Sequence, residues 1–173
     1  EILRRMRDFI RRGHPHVSTI NTRDLLEDAM TLAQAEASAR GVRVDLDISA
    51  DVPDLHGDRV QLEQVVLNLV HNAVDAIAAM GQSHGHVQVA VHCCAAPPRV
   101  EISVLDNGPG IEGELAGRLF DPLTTTKQDG LGLGLSICAS IVEAHGGRVW
   151  LQSGKPGATE FRFSVPLDVS RER

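Results

Sequence analysis

The sequence predicts an α+β domain, a mostly antiparallel sheet with helices packed on one face. Three observations carry this expectation. Val42-Arg43-Val44-Asp45-Leu46-Asp47-Ile48 alternates apolar and polar residues, the period of a strand with one wet face. Two longer stretches, around residues 25–33 and 65–77, repeat apolar residues every three or four positions, the period of helices with one buried stripe. Strand and helix patterns follow one another without the regular alternation of a parallel βαβ sheet.

The elements can be justified in order. Residues 1–12 set Ile2, Leu3, Met6, Phe9 and Ile10 on one helical stripe with arginines around the other face, and Gly13-His14-Pro15 ends it. This is either a helix docked on its own domain or the cut end of a longer helical hairpin. The stripe is already in phase at Glu1, which favours the cut end and a chain excised from something longer. Residues 17–20 suit a short strand. Asn21 is a helix N-cap with Asp24 in the first turn, and the helix carries Leu25, Leu26, Ala29, Leu32 and Ala33 inward before Gly41. The alternating strand 42–48 follows, and Asp51 and Asp54 flank Pro53 as turn formers. Asp58 caps a long helix through Val65, Val66, Leu69, Val70, Ala73 and Ile77, ending before Gly81. His84-Gly85-His86 is most simply a polar turn. Strands are expected over 87–91 and 100–105, joined across Pro97-Pro98. A glycine turn, a short helix near 115–119, a loop over 121–130, a helix over 133–145 and closing strands over 148–152 and 160–165 complete the chain.

The 173 residues suffice for one domain with a sizeable core, and 42% apolar with 23% charged residues is the balance of a soluble globular protein. A net charge of -6 argues against nucleic acid as the main partner. There is no apolar run of about 18 residues and no signal-peptide pattern, so membrane contact by this domain is not expected. Three cysteines, with Cys93 and Cys94 adjacent, make no disulfide framework and favour a reducing cytoplasm. His92-Cys93-Cys94 is a poor zinc site, because neighbours on a strand point to opposite faces.

Three blocks carry chemistry. In Asp106-Asn107-Gly108-Pro109-Gly110-Ile111 a carboxylate ends a predicted strand at the rim of the sheet. An ionised carboxylate only accepts hydrogen bonds, so it suits the exocyclic amino group of adenine and rejects the keto group of guanine. Gly108 and Gly110 let a base approach the backbone. By itself the block is equally an ordinary turn. Gly130-Leu131-Gly132-Leu133-Gly134-Leu135-Ser136 opens a helix, where bare amides and the positive helix end collect phosphate oxygens. It is neither a dinucleotide fingerprint nor a Walker loop, since no Lys-Ser or Lys-Thr follows the last glycine. Lys127, in Thr124-Thr125-Thr126-Lys127, can reach a phosphate or remain a solvated loop lysine. Asn68 and Asn72 lie one turn apart on a helix face. Magnesium takes hard oxygen ligands and keeps most of its waters, so one or two amide oxygens plus phosphates suffice.

In this order the set resembles the catalytic ATP-binding domain of sensor histidine kinases, within the GHKL group of ATPases. Residues 68–73 resemble the N box, 106–110 the first glycine box, and Leu119-Phe120-Asp121-Pro122 the F box. Residues 130–134 resemble the second glycine box, and Gly157-Ala158-Thr159 the glycine–threonine block before the last strand. The resemblance spans residues 16–168, while 1–12 resemble the end of the second helix of a dimerisation-and-phosphotransfer domain and 169–173 are a tail. Residues 120–127 and Val142-Glu143-Ala144-His145-Gly146-Gly147 are most similar to the nitrogen-regulation and oxygen-sensing kinases.

The resemblance implies a two-layer α/β sandwich of the Bergerat type, ATP and Mg2+ as cofactors, and transfer of the γ-phosphoryl group to a histidine. Asn72 would ligate magnesium, Asp106 read adenine, Lys127 touch phosphate, and residues 123–134 form a lid. Asn68 would stand by the phosphates, where relatives that hydrolyse ATP carry a glutamate; an amide is a poor base, which favours transfer to a protein. By the same comparison Gly108, Gly110, Phe120, Thr125, Thr126, Gly130, Gly132, Leu133, Gly134 and Thr159 would border the nucleotide. Many such kinases follow the Asn-Ala pair with a basic residue and an aromatic that packs on adenine; here stand Asp75 and Ala76. The base is then expected to rest on Ile111 and Leu135, and Asp75 to orient magnesium-bound water. No histidine here sits in a His-Glu helical context, so the acceptor is expected upstream, on the protein's own dimerisation domain, with a cognate response regulator as the onward partner. Membrane anchoring of the parent protein is a matter for sequence outside this domain.

Overall fold

The computed structural model describes residues 16–81, 84–122, 124 and 132–167. The helix expected over 1–12, the tail, and Thr125, Thr126, Lys127 and Gly130 lie outside the described residues. In chain order the elements are β1 (Val17–Ile20), α1 (Thr22–Ala39), β2 (Val42–Asp47), β3 (Leu55–Asp58), α2 (Arg59–Ala78), β4 (Gly85–Ala95), β5 (Pro98–Asp106), α3 (Gly113–Ala116), α4 (Gly134–Ala144), β6 (Val149–Lys155) and β7 (Ala158–Pro166).

The main sheet has the order β2-β4-β5-β7-β6. β2 pairs with β4 in parallel and every other neighbour is antiparallel, the mixed and mostly antiparallel sheet the sequence predicts. The parallel pair requires a long crossover, and β3 with α2 supplies it. Alternation along the strands sends Val87, Val89, Val100, Ile102, Val104, Phe161, Phe163 and Val165 into the core against α1, α2 and α4. The other face is polar, and its charges pair along and between strands: Arg99 bonds Glu101 at 2.7 Å within β5, and Arg162 lies 2.7 Å from Glu160 within β7 and 3.7 Å from Glu101 across to β5. One face dry and one face wet is the division expected of a two-layer sandwich.

Both expected helix caps form. Asn21 accepts the Asp24 N–H at 3.0 Å and Asp58 accepts the Gln61 N–H at 3.1 Å, each stabilising its helix by about 1 kcal/mol.

Several expectations need correction. Leu32 is 59% exposed rather than inward. The buried stripe of α1 runs through Leu25, Leu26, Ala29, Met30 and Ala33, and at 3.6 residues per turn Leu32 stands about 100° from its centre. Gly85 and His86 belong to β4 and not to a turn; a Cβ at Gly85 would come within 2.6 Å of Ile77. β3 has no alternation to announce it, and forms because Leu55 to Asp58 lies antiparallel to β1. The short helix α3 ends at Ala116.

Candidate functional site

β5 delivers Asp106 to its end, opposite Thr159 of β7 and Val87 of β4. The carboxylate is 4% exposed. It accepts the Gly108 N–H at 2.8 Å and is hydrogen-bonded to the Thr159 side chain. Burial raises its pKa from 3.8 to about 6, against the pull of those two bonds. Among the described residues no cation pairs with it. The following turn is close-packed. A Cβ at Gly108 would lie 2.6 Å from the Asp106 Oδ1, and one at Gly110 would lie 2.7 Å from the Pro156 nitrogen, with φ already at +85°. Gly108 C=O accepts from Gly157 at 2.8 Å, and Ile111 N–H donates to Gly154 at 2.9 Å. Asn107, which the sequence reading did not single out as a site residue, is the anchor. Its side chain accepts the His86 N–H at 2.8 Å and donates to the His84 carbonyl at 2.8 Å, tying the turn to β4. Only the Asx preference for turns could have signalled it.

α2 passes under this turn. Ala76 and Ile77 stand 3.7 and 3.5 Å from where a Gly108 Cβ would be, so a small residue at 76 leaves space where an aromatic would not. One turn earlier, Asn72 faces the start of α4, its Nδ2 4.0 Å from a Cβ built at Gly134. Asn68 shares that helix face and is hydrogen-bonded to the buried Cys138 of α4, whose thiol burial pushes up to about 12. Asp75 is paired with Arg40 at the end of α1, and Arg40 also reaches Glu36 at 3.5 Å. His71 joins this surface network through Glu36 at 3.2 Å.

Gly132 takes φ +63°, a left-handed conformation suited to glycine, and leads into α4. Leu133, at the N-cap of that helix, makes no side-chain bond to its first-turn amides. Leu135 and Ile111 are partly buried against the core. Phe120 stacks edge-to-face on Phe161, ring centroids 6.3 Å apart, which fixes the end of the F-box segment to the sheet.

The structure therefore brings Asp106, Gly108, Gly110, Ile111 and Thr159 to one rim, and sets Asn72 across from Gly134 at the start of α4. These residues fit an adenine nucleotide with magnesium. An anionic acceptor lies buried beside a turn whose glycines let the backbone pack close against it, and an amide faces the start of α4. Among the described residues no cluster of His, Cys, Asp and Glu could hold a metal by itself, so amide and phosphate oxygens are the donor set for magnesium.

Comparison with known proteins places the chain and its fold. The family described as histidine kinase-, DNA gyrase B-, and HSP90-like ATPase matches residues 57–169. The sensor protein FixL of Bradyrhizobium diazoefficiens is 40% identical over 168 residues, which are 96% of this chain and 32% of FixL. The chain thus spans about a third of that relative's length. The nucleotide-free catalytic domain of histidine kinase ThkA superposes with a TM-score of 0.76 at 29% identity, covering 87% of this chain and 95% of that one. ThkA in complex with the response regulator protein TrrA gives 0.77 at 26% identity, over 98% of this chain and 47% of the other. Full-length ShkA in complex with AMPPNP gives 0.78 at 28% identity, over 89% and 32%. Sequence and fold agree, and the chain belongs to the histidine kinase-, DNA gyrase B- and HSP90-like ATPase family, as a catalytic domain of the sensor histidine kinase kind.

Proposed function

We propose that this domain binds magnesium–ATP and donates the γ-phosphoryl group to a histidine on a separate dimerisation domain of its own parent protein, for relay to a response regulator. The observation that carries the reading is Asn68. The position beside the phosphates holds a neutral amide bonded to Cys138, and no carboxylate that could activate water. Asp106 accepts the adenine amino group, and Ile111, Leu135 and Ala76 border the base. Asn72 contributes the protein ligand to magnesium. The start of α4 at Gly132, Leu133 and Gly134 receives phosphate oxygens through backbone amides, joined by Gly130, Thr125, Thr126 and Lys127 of the lid sequence. Asp75, held by Arg40, would orient magnesium-bound water.

Bound magnesium supplies charge neutralisation on the phosphates, and the chain's own task is positioning, because phosphoryl transfer asks little covalent chemistry of a protein. Asp106 and the glycine turn fix one end of the nucleotide, and the α2–α4 pair fixes the other. That ShkA was solved with AMPPNP and ThkA with a response regulator supports both halves of the proposal. No helix among the described residues is long and apolar enough to cross a membrane. A cytoplasmic site of action accords with the ATP requirement.

The test mixes this chain with a fragment of its parent carrying the dimerisation domain, and with radiolabelled ATP. Label should appear on the acceptor as an acid-labile, base-stable phosphohistidine, and Asn72→Ala should remove it. Transfer is expected to be slow, because untethered partners lose an effective concentration of order millimolar. Steady ADP release without an acceptor would instead show an ATPase clamp, and nucleotide binding without transfer a regulatory module.

A further inference from the structure

α2 and α4 lie antiparallel, and three contacts mark their seam. At one end Asn72 faces Gly134. In the middle the Cys138 thiol meets the Asn68 side chain and stands 4.0 Å from the Val65 carbonyl. At the far end is His145, the C-cap of α4, against Asp58, the N-cap of α2. His145 is eleven residues beyond Gly134, about 16 Å along the helix, and cannot touch a ligand at the glycine loop.

The partners of the His145 ring fix its proton. Nδ1 is 2.8 Å from the Ile141 carbonyl, which can only accept, so Nδ1 carries hydrogen. Nε2 is 3.0 Å from the Asp58 backbone N–H, which can only donate, so Nε2 accepts. The ring spans from its own last turn to the N-cap of the facing helix. β3 makes room for it: a Cβ at Gly57 would lie 2.5 Å from the ring Cδ2. Gly146, at φ +74°, ends the helix behind the ring. Gly147 follows where a Cβ would lie 1.7 Å from the Ser164 carbonyl, so the chain leaves into β6 with no latitude to shift. The motif His145-Gly146-Gly147 is thereby matched to Gly57-Asp58, 87 residues away at the hydrogen-bonded pair.

We infer that His145 is a positioning residue for phosphoryl transfer: as the Nδ1–H tautomer it clamps the tail of α4 to the head of α2 and so fixes the helix register that sets Gly134 opposite Asn72. The inference rests on the proposed reading of those two positions as the phosphate and magnesium side of the site. Misplacement of reacting groups by as little as 1 Å costs up to about 100-fold in rate, so a clamp remote from the ligand has leverage.

Two substitutions separate the roles of the ring nitrogens. In His145→Asn the amide can still donate to Ile141 but is too short to reach Asp58. In His145→Gln the side-chain oxygen can reach the Asp58 N–H. Transfer to the acceptor fragment at saturating ATP should fall about tenfold or more in His145→Asn and recover largely in His145→Gln. Adenosine, which engages only the Asp106 end, should bind both variants as it binds the unaltered chain, whereas magnesium–AMPPNP should bind His145→Asn more weakly. Gly57→Ala, which crowds the ring from β3, should reproduce the His145→Asn pattern and decides the matter if that variant melts before assay. Equal loss of adenosine and magnesium–AMPPNP binding, or transfer unchanged in both His145→Asn and Gly57→Ala, would overturn the clamp. Failure of the unaltered chain to bind magnesium–AMPPNP would instead overturn the reading of the site.

Discussion

The buried carboxylate of Asp106 costs the free domain stability, and that cost can be removed without removing the side chain's shape. Its pKa is 3.8 ordinarily and about 6 here, raised first by burial. A carboxyl whose folded pKa lies above its unfolded value stabilises the fold fully only below the unfolded value, and that contribution is lost as pH rises through the folded one. Above pH 6 the ionised, buried group therefore carries a penalty of about 3 kcal/mol, from roughly two pKa units at 1.36 kcal/mol each. Asp106→Asn has no charge to bury at any pH. Its amide keeps one acceptor oxygen and gives up one hydrogen bond of about 1 kcal/mol, leaving a net gain of about 2 kcal/mol at pH 7.5. For a domain of this size that raises Tm by roughly 4–8 °C. At pH 4 the penalty in the unaltered chain shrinks to about 0.5 kcal/mol, so the advantage should vanish or reverse. Nucleotide binding moves the opposite way. The charge-assisted bond to adenine is worth about 1.5–3 kcal/mol, so affinity should fall about 10–100-fold or more. In the unaltered chain affinity should also decline below about pH 6, as Asp106 takes up its proton. Melting by circular dichroism at the two pH values and calorimetry with AMPPNP measure both halves. A lower Tm at pH 7.5, or near-normal affinity in the variant, would refute the reasoning.

Gly147→Ala should destabilise the domain by about 2–4 kcal/mol, since a Cβ there would collide with the Ser164 carbonyl at 1.7 Å; Gly113→Ala, with open space around it, should melt like the unaltered chain. Cysteine reactivity should follow burial: iodoacetamide should modify the exposed Cys93 in the native domain, and Cys138, buried with its thiol pushed up to about 12, only in denaturant. Mass spectrometry of the modified chain checks this, and native labelling of Cys138 at the rate of Cys93 would contradict the packing of the α2–α4 seam. Asn72→Ala should weaken magnesium–AMPPNP while leaving adenosine affinity unchanged, measured by calorimetry; equal losses would remove Asn72 from the magnesium site.

Much of this domain was legible because its signals are local. Asn21 and Asp58 cap helices through bonds to residues three positions on, and a cap of that kind can be read from neighbours alone. The alternation of residues 42–48 and the helical stripe of residues 65–77 decide which side of each element is buried, whatever it packs against. Asn68 and Asn72 had to share a helix face, and Asp106 had to end a strand before a glycine turn. The family resemblance added roles that spacing alone does not give.

What the sequence could not decide is what depends on distant partners. β3 exists because β1 pairs with it, and nothing in Leu55-His56-Gly57-Asp58 demands extension. Leu32 is exposed because α1 turns a stripe about 100° away toward the sheet, a choice made by packing where propensity is indifferent. Arg40 holds Asp75 across 35 residues, and His145 holds Asp58 across 87. The depth at which Asp106 is buried, and hence its pKa of about 6, follows from β4 and β7 closing on both sides of β5. The sequence by itself determined most of the elements, the wet and dry faces of β2 and α2 and the chemical types at the candidate site, because these follow from bonding and periodicity within a few residues. Only the tertiary structure decided their burial, their ion pairs and the register of α2 against α4, because those are set by contacts between segments far apart in the chain.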